Sequence, residues 1–419
     1  MDEIKTPPAP ATELIATSEI YPTAPDHAVP EPLPLSDFYS WHLPRKQWVR
    51  RKQWAATAEA LMDAIVPLDR PFRYLGLPGT ELLDLEVLAE TCIKKNTRLK
   101  YIGFNSGAQS PGRKTTQQLA EQALIELDVI EQPSTVLVDD ISTLGSATSI
   151  ATRRIKEFES FDLVNLDFCD VFSGAKENPK HTAVKSIVEF QLNRRTQPWL
   201  MYLTTAIAPH ALDGADLNEY RLLFERNTKD SEEFGRLLGA PELAAIPIGS
   251  GDPFLGAAGV RLGRLLTVGV GKWLLALLSQ SKGWILELKS CVCYRRGLAG
   301  GDAESATSRE PDLFSLVFGF RKNTDTISDP TGLARGSPAS SRNWIELETK
   351  AAIQIATRTL KSIDLDATLE TSEDLALQML DESARMLRLR NYDEKLYREW
   401  VAGMPAGFAA PTAKKTRPR

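Results

Sequence analysis

The sequence predicts an α/β protein built on a mostly parallel sheet, and three observations predict it. Five short apolar runs follow one another between residues 71 and 205. The segments between them are long enough to hold the crossover helices that parallel pairing requires. Much later, two further strand-like runs at 284–294 and 313–320 flank a loop rich in Gly, Ala and Ser, the pattern of an antiparallel hairpin.

The first run, Phe72-Arg73-Tyr74-Leu75, leads into the turn Gly76-Leu77-Pro78-Gly79. Lys100 to Phe104, Thr135 to Val138, Asp162 to Leu166 and Trp199 to Leu203 repeat the theme. Continuous apolar runs with β-branched and aromatic residues suit strands covered on both faces. Helices are expected over 80–95, 113–127, 143–158, 181–195, 217–238 and 258–280. The last holds the most apolar stretch, Phe254 to Leu278, but Arg261, Arg264 and Lys272 interrupt it. A membrane span needs about 20 mostly uncharged apolar residues, so a helix buried on the sheet is expected and no membrane contact.

The remaining segments frame this unit. Residues 1–36 are read as a disordered arm, because residues 1–35 hold eight prolines and few large apolar groups. Residues 37–70 form a basic, Trp-rich helical segment, with Pro44 placed to start a helix. The sheet domain covers 71–323, 324–343 is a linker, and 344–403 is a C-terminal helical extension. There Thr371 with Asp374 makes a capping-box pattern. A basic tail, 404–419, is expected to be disordered.

Composition sets outer bounds. The 419 residues are 42% apolar and 25% charged, with net charge −5, so any nucleic-acid contact must come from a local patch. Four cysteines, Cys92, Cys169, Cys291 and Cys293, make no disulfide framework, and with no secretory signal a reducing cytoplasm is the expected compartment. The four histidines, His27, His42, His181 and His210, form no ligand pair at helical spacing, so no metal site is expected.

In open sheets of this class, ligands bind beyond the carboxyl ends of the strands. The loops after the first, third and fourth strands are therefore expected to open into one hollow. Their residues are Gly76 and Gly79, Asp139 and Asp140, and Asn165 through Asp170, with Asn105 after the second strand. Asp167 and Asp170 can take a proton at a reacting centre or cap the next helix. Asn165 sits inside an apolar strand, where an amide needs partners. In the segment Trp41 to Trp54, Arg45, Lys46, Arg50, Arg51 and Lys52 interleave with three tryptophans. Cations and rings in that pattern suit phosphates and unpaired bases, and equally suit a helix that packs its tryptophans inward.

The order of five strand–helix units, a late helix and a terminal hairpin resembles the class I S-adenosylmethionine-dependent methyltransferases. The resemblance covers residues 71–323. It implies a Rossmann-like, mostly parallel seven-stranded sheet with a C-terminal β-hairpin. It also implies S-adenosylmethionine as cofactor, held by Gly76, Gly79, Asn105, Asp139 and Asp140, with Asp167, Asn165 and Asp170 next to the methyl donor. The family's first turn carries more glycines and an acid, and an acid usually stands where Asn105 does. Amino-methyltransferases of nucleic acids carry an (Asn/Asp/Ser)-Pro-Pro-(Tyr/Phe) motif after the fourth strand. Asn165 and Phe168 match its ends, while Leu166-Asp167 replace the prolines.

Two readings therefore stand. One is a methyltransferase-like enzyme acting on nucleic acid or another anionic substrate, which the basic Trp-rich segment would bind. The other is a non-catalytic subunit on a degenerate scaffold, as in a bacterial defence system, that binds nucleic acid or meets a protein partner through its C-terminal helices.

Overall fold

The computed structural model describes residues 34–65, 69–109, 111–173, 179–207, 215–243, 252–279, 283–297, 310–323 and 344–404. The linker expected over 324–343 lies outside these residues, as do nearly all of the N-terminal arm and the basic tail.

Among the described residues, one sheet of eight strands runs in the order β3-β2-β1-β4-β5-β7-β6-β8. Its strands are β1 (Phe72–Gly76), β2 (Leu99–Phe104), β3 (Thr135–Leu137), β4 (Leu163–Val171), β5 (Trp199–Ala206), β6 (Trp284–Tyr294), β7 (Leu313–Lys322) and β8 (Ile363–Asp364). The first five pair in parallel, and β7 pairs antiparallel with both β5 and β6. This is the hairpin arrangement the resemblance implies. The sheet is mixed and wider than the expected seven strands, because the two-residue β8 adds a parallel edge to β6. Two residues carry no periodicity for a sequence reading to detect.

Apolar runs became central strands because both sheet faces are covered. All eight β5 residues are buried, and Trp199 stacks on Phe320 of the antiparallel neighbour at 3.8 Å. One face carries α3 (Leu83–Lys94), reached after α1 (Pro44–Trp48) and α2 (Ala56–Ala64). The other carries α6 (Pro179–Arg194) and α9 (Gly259–Ser279), which follow α4 (Pro111–Ile125) and α5 (Ile150–Lys156). Helix α9 is long and apolar enough to cross a membrane, but 83% of its most apolar window is buried inside the protein. Its Lys272 is buried against Glu348 at 2.5 Å.

Helix boundaries differ from the sequence reading at several places, three of them for a capping reason. The helix expected over 143–158 starts only at Ile150, where the Ser149 side chain accepts from the Thr152 amide. The helix expected over 217–238 is two, α7 (Ala215–Asp230) and α8 (Glu232–Leu238). Ser231 leaves the helical region at φ −149° and its side chain accepts from the Phe234 amide, which starts a new helix. Thr371 is not an N-cap: it ends α11 (Leu365–Thr371), with its hydroxyl donating to the Ala367 carbonyl at 2.9 Å. Helix α12 (Glu373–Arg388) follows from Ser372, after α10 (Trp344–Leu360) and before α13 (Glu394–Ala402).

The N-terminal segment is helical as expected, but its middle, Val49–Ala55, is π-helical. Such stretches are rare and local. Here the widened turn lies where Trp54 stacks on Tyr202 of β5 at 5.7 Å and Gln53 hydrogen-bonds Ser315 of β7.

Candidate active site

The strand order reverses at β1, which has β2 on one side and β4 on the other. Loops that leave neighbouring carboxyl ends in opposite directions must separate there, and they open a crevice. A cleft of about 350 Å³ occupies that place, a volume in the range of small-molecule sites. Its walls come from the turn after β1 (Leu77, Pro78, Gly79, Thr80), the end of β2 (Phe104, Asn105, Ser106, Gly107), the end of β3 (Asp139, Asp140, Ile141) and β4 (Asp167, Phe168, Asp170). Trp41, Arg50, Asp84, Arg113 and Lys180 complete it. The ladder between β4 and β5 is irregular between Asp167 and Val171, which lets β4 leave its neighbour beside the cleft.

Of the residues expected at the site, Gly79, Asn105, Asp139, Asp140, Asp167, Asp170 and Arg50 line the cleft. Gly76 does not. A Cβ at Gly76 would lie 2.2 Å from the Tyr74 hydroxyl, so this glycine makes room for the Tyr74 ring on the same strand face. Nearby, a Cβ at Gly103 would meet Pro78 at 2.7 Å, so the prolyl turn closes onto β2 only because Gly103 is bare. Asn165 is 2% exposed and lies beneath the cleft, its amide 3.5 Å from Asp84.

Asn105 braces its own turn: its side-chain oxygen accepts from the Gly107 amide at 3.0 Å and its amide donates to Gln117 at 3.1 Å. Asp140 accepts from the Ser142 amide at 2.7 Å, and Asp139 accepts from the Asp140 amide at 2.8 Å. Asp170 pairs with Lys180 at 3.0 Å. Burial opposes the Asp170 charge, but that lysine and the Val171 amide outweigh it and hold the carboxyl below its ordinary value. Asp167 pairs with Lys46 at 2.5 Å, and Lys46 also lies 3.5 Å from the Tyr294 hydroxyl and over the Trp54 ring. Burial pushes the Asp84 carboxyl up, against the opposing charge of Arg50 and the hydrogen bond from the Tyr74 hydroxyl at 2.8 Å.

The basic Trp-rich segment folds inward. The sequence left an anionic partner and an inward-packed helix both open for this segment; the fold gives three of its cations acidic partners within the chain. Arg45 pairs with Asp366, Lys46 with Asp167, and Arg51 with Glu90 and Glu382. Arg45, Lys46 and Arg50 are buried, and Lys52 alone of the five is exposed. The cause is the acids of α3, β4, α11 and α12, which no local pattern in 41–54 reveals.

Three charged cleft residues were missed. Asp84 belongs to the first turn of α3 and Lys180 to that of α6, and Arg113 lies near the start of α4. A helix following a parallel strand begins at the ligand end of the sheet, and that rule finds all three. Arg113 donates to the Tyr39 hydroxyl at 3.0 Å, and Tyr39 stacks on Trp41 at 4.5 Å.

The strand order and the crevice at its switch point define a methyltransferase-like α/β fold. Within that class the chain belongs to the PP_RS20740-like family, whose model matches residues 35–402. No functionally curated protein matches the sequence. Among solved structures it is similar to the DszA carbon methyltransferase at 12% identity and a TM-score of 0.31, over 65% of this chain and 53% of that one. It is also similar to the citrinin polyketide synthase CMeT domain (10%, 0.30, 65% and 55%) and the CurJ carbon methyltransferase (12%, 0.28, 65% and 57%). The chain thus matches little more than half the length of these structures. The strand order, not these likenesses, carries the fold assignment.

Proposed function

We propose that this protein binds S-adenosylmethionine in the cleft above β1 and β4 as a methyltransferase-like protein. The observation that carries the reading is the convergence of Gly79, Asn105, Asp139, Asp140 and Asp167 from four strand ends on one hollow. The residues fit the group. Asn105 and Ser106 offer polar atoms for ribose hydroxyls, Asp139 and Asp140 for the adenine amino group, and the Gly79 turn offers backbone for the methionine part. Two buried polar atoms, Arg50 Nε and Asn165 Oδ1, have no hydrogen-bond partner among the described residues, the kind of deficit a polar ligand corrects.

The chemistry such a cofactor supplies is an electrophilic methyl group. Asp167 is the carboxylate placed to receive the acceptor's proton, and Asp170 is held ionised at the rim. The Lys46–Asp167 pair favours a second reading, in which the protein binds the cofactor without transferring its methyl group. The Lys46 ammonium already donates to that carboxylate at 2.5 Å and occupies the oxygen the acceptor's proton would reach. On the transfer reading, the burial of Arg45, Lys46 and Arg50 takes away much of the basic face a nucleic-acid acceptor would need.

Titration calorimetry with S-adenosylhomocysteine tests the cofactor reading. A one-to-one heat is expected, with a thermal shift matching about 2.7 kcal/mol of stabilisation at a hundredfold excess over Kd. No heat and no shift at millimolar ligand would remove it.

A further inference from the structure

Arg50 is the least satisfied cation in the cleft. It is 5% exposed. One guanidinium nitrogen donates to the Trp41 carbonyl at 3.1 Å, and its Nε has no hydrogen-bond partner among the described residues. No carboxylate lies within ion-pair distance of it among those residues, whereas Arg45, Lys46 and Arg51 in the same segment each have one. Removing a guanidinium from water without an anion is costly, and a buried cation in a native protein is normally paired. Arg50 also lines both the main cleft and the small void beneath it, which Asp84, Tyr74 and Asn165 share. Asp84, whose carboxyl feels the Arg50 charge, is its acidic neighbour there but makes no ion pair with it, which leaves the guanidinium open to an anion from a ligand.

We infer that Arg50, presented by the π-helical stretch Val49–Ala55, is a specificity-determining residue that binds the carboxylate of the ligand's amino-acid part, with Asp84 facing the ammonium of the same group. This rests on the cofactor reading and adds to it a requirement. The ligand must carry an anionic group at the Gly79 end of the cleft, so a nucleoside without an amino-acid tail binds poorly. An arginine fork suits a carboxylate because it can donate two parallel hydrogen bonds. The π-helical turn fixes the arginine. A regular α-helical register from Val49 onward would rotate the following residues by most of a position and take either Arg50 or Trp54 off its contact.

The test compares two ligands on the intact wild-type protein. S-adenosylhomocysteine carries the amino-acid tail, and 5′-methylthioadenosine has the same nucleoside and thioether without it. Calorimetry is expected to show the tailed ligand binding about 30-fold more tightly, equivalent to about 2 kcal/mol at 1.4 kcal/mol per tenfold. Arg50→Lys, which keeps the charge and loses the fork, is expected to shrink the ratio to about threefold. Equal affinities for the two ligands in the wild type would overturn the role of Arg50 and leave the cofactor reading standing. Binding of neither would remove both. A ratio that persists in a folded Arg50→Lys protein would assign the tail to another residue and overturn the inference as well.

Discussion

Glu81 shows how single residues hold the cleft's upper wall. Its carboxylate accepts from the Tyr392 hydroxyl at 2.8 Å and the Trp41 indole at 3.1 Å, and lies 3.5 Å from His42 Nε2. His42 Nδ1 accepts from the Tyr39 amide, so the ring proton sits on Nε2 and faces the carboxylate. Burial opposes the Glu81 charge, yet the neighbouring His42 ring, the Tyr392 hydroxyl and its own amide lower the carboxyl from 4.5 to about 2. Burial likewise lowers His42 below 6.5, against the pull of Glu81. The signs agree. Below pH 6.5 the unfolded chain takes up a proton at His42 that the folded chain resists, and between about 4.5 and about 2 it takes up another at Glu81. Stability therefore falls with acid through both windows. Glu81→Gln removes the carboxylate part, about 3 kcal/mol at neutral pH from 1.36 kcal/mol per unit. Thermal unfolding from pH 7 to 3 is expected to show the gap between the two proteins narrowing below pH 4.5. A constant gap would refute the assignment.

At the scale of elements, the strands were legible because burial on both faces writes continuous apolar runs, and their ends were legible because a turn ends each run. Gly79, Asn105, Asp140 and Asp167 were therefore placed at the cleft from sequence. Roles were less legible than places. Asn105 braces its turn, and Gly76 clears the Tyr74 ring, because those contacts depend on which side chain crosses to which element. The π-helical stretch, the two-residue β8 and the inward turn of the basic segment depend on residues up to 321 positions away, as in Arg45 with Asp366. Gly103 gives the sharpest test at this scale. A methyl group there would press on Pro78 at 2.7 and 2.9 Å and on Val136 at 3.1 Å. The prolyl ring cannot rotate aside, so the turn after β1 must move. Gly103→Ala is expected to lower stability by about 1–3 kcal/mol in urea unfolding, the usual cost of overpacking, and to weaken S-adenosylhomocysteine binding through the displaced Pro78. An unchanged midpoint would mean the turn is not held by this contact.

For the whole molecule, the two ends of the described chain close on each other. Leu35 bridges in parallel to Tyr392, and its amide donates to the Asn391 carbonyl at 2.7 Å. Phe38 sits among Tyr392, Tyr397 and Trp400, with ring centroids 5.4 to 5.8 Å away. The Tyr397 hydroxyl donates to the His42 carbonyl at 2.7 Å, and Arg390 donates to the Glu81 carbonyl. The C-terminal helices also share the main cores. Ile355 and Ala352 belong to the cluster that holds Trp273 and Leu286, and Leu365 to the one that holds Phe72 and Tyr202. Segments that bury one another's apolar surface unfold together, because neither keeps its core alone. The N-terminal helix, the sheet and residues 344–404 are therefore expected to melt in a single calorimetric transition with calorimetric and van't Hoff enthalpies in agreement. Trp400→Ala removes a half-buried ring that packs on Phe38, at a cost of about 0.5–3 kcal/mol. It is expected to shift the whole transition downward without splitting it. Two resolved transitions, or a Trp400→Ala effect confined to the weaker one, would show instead that the clasp is an independent module resting on the sheet.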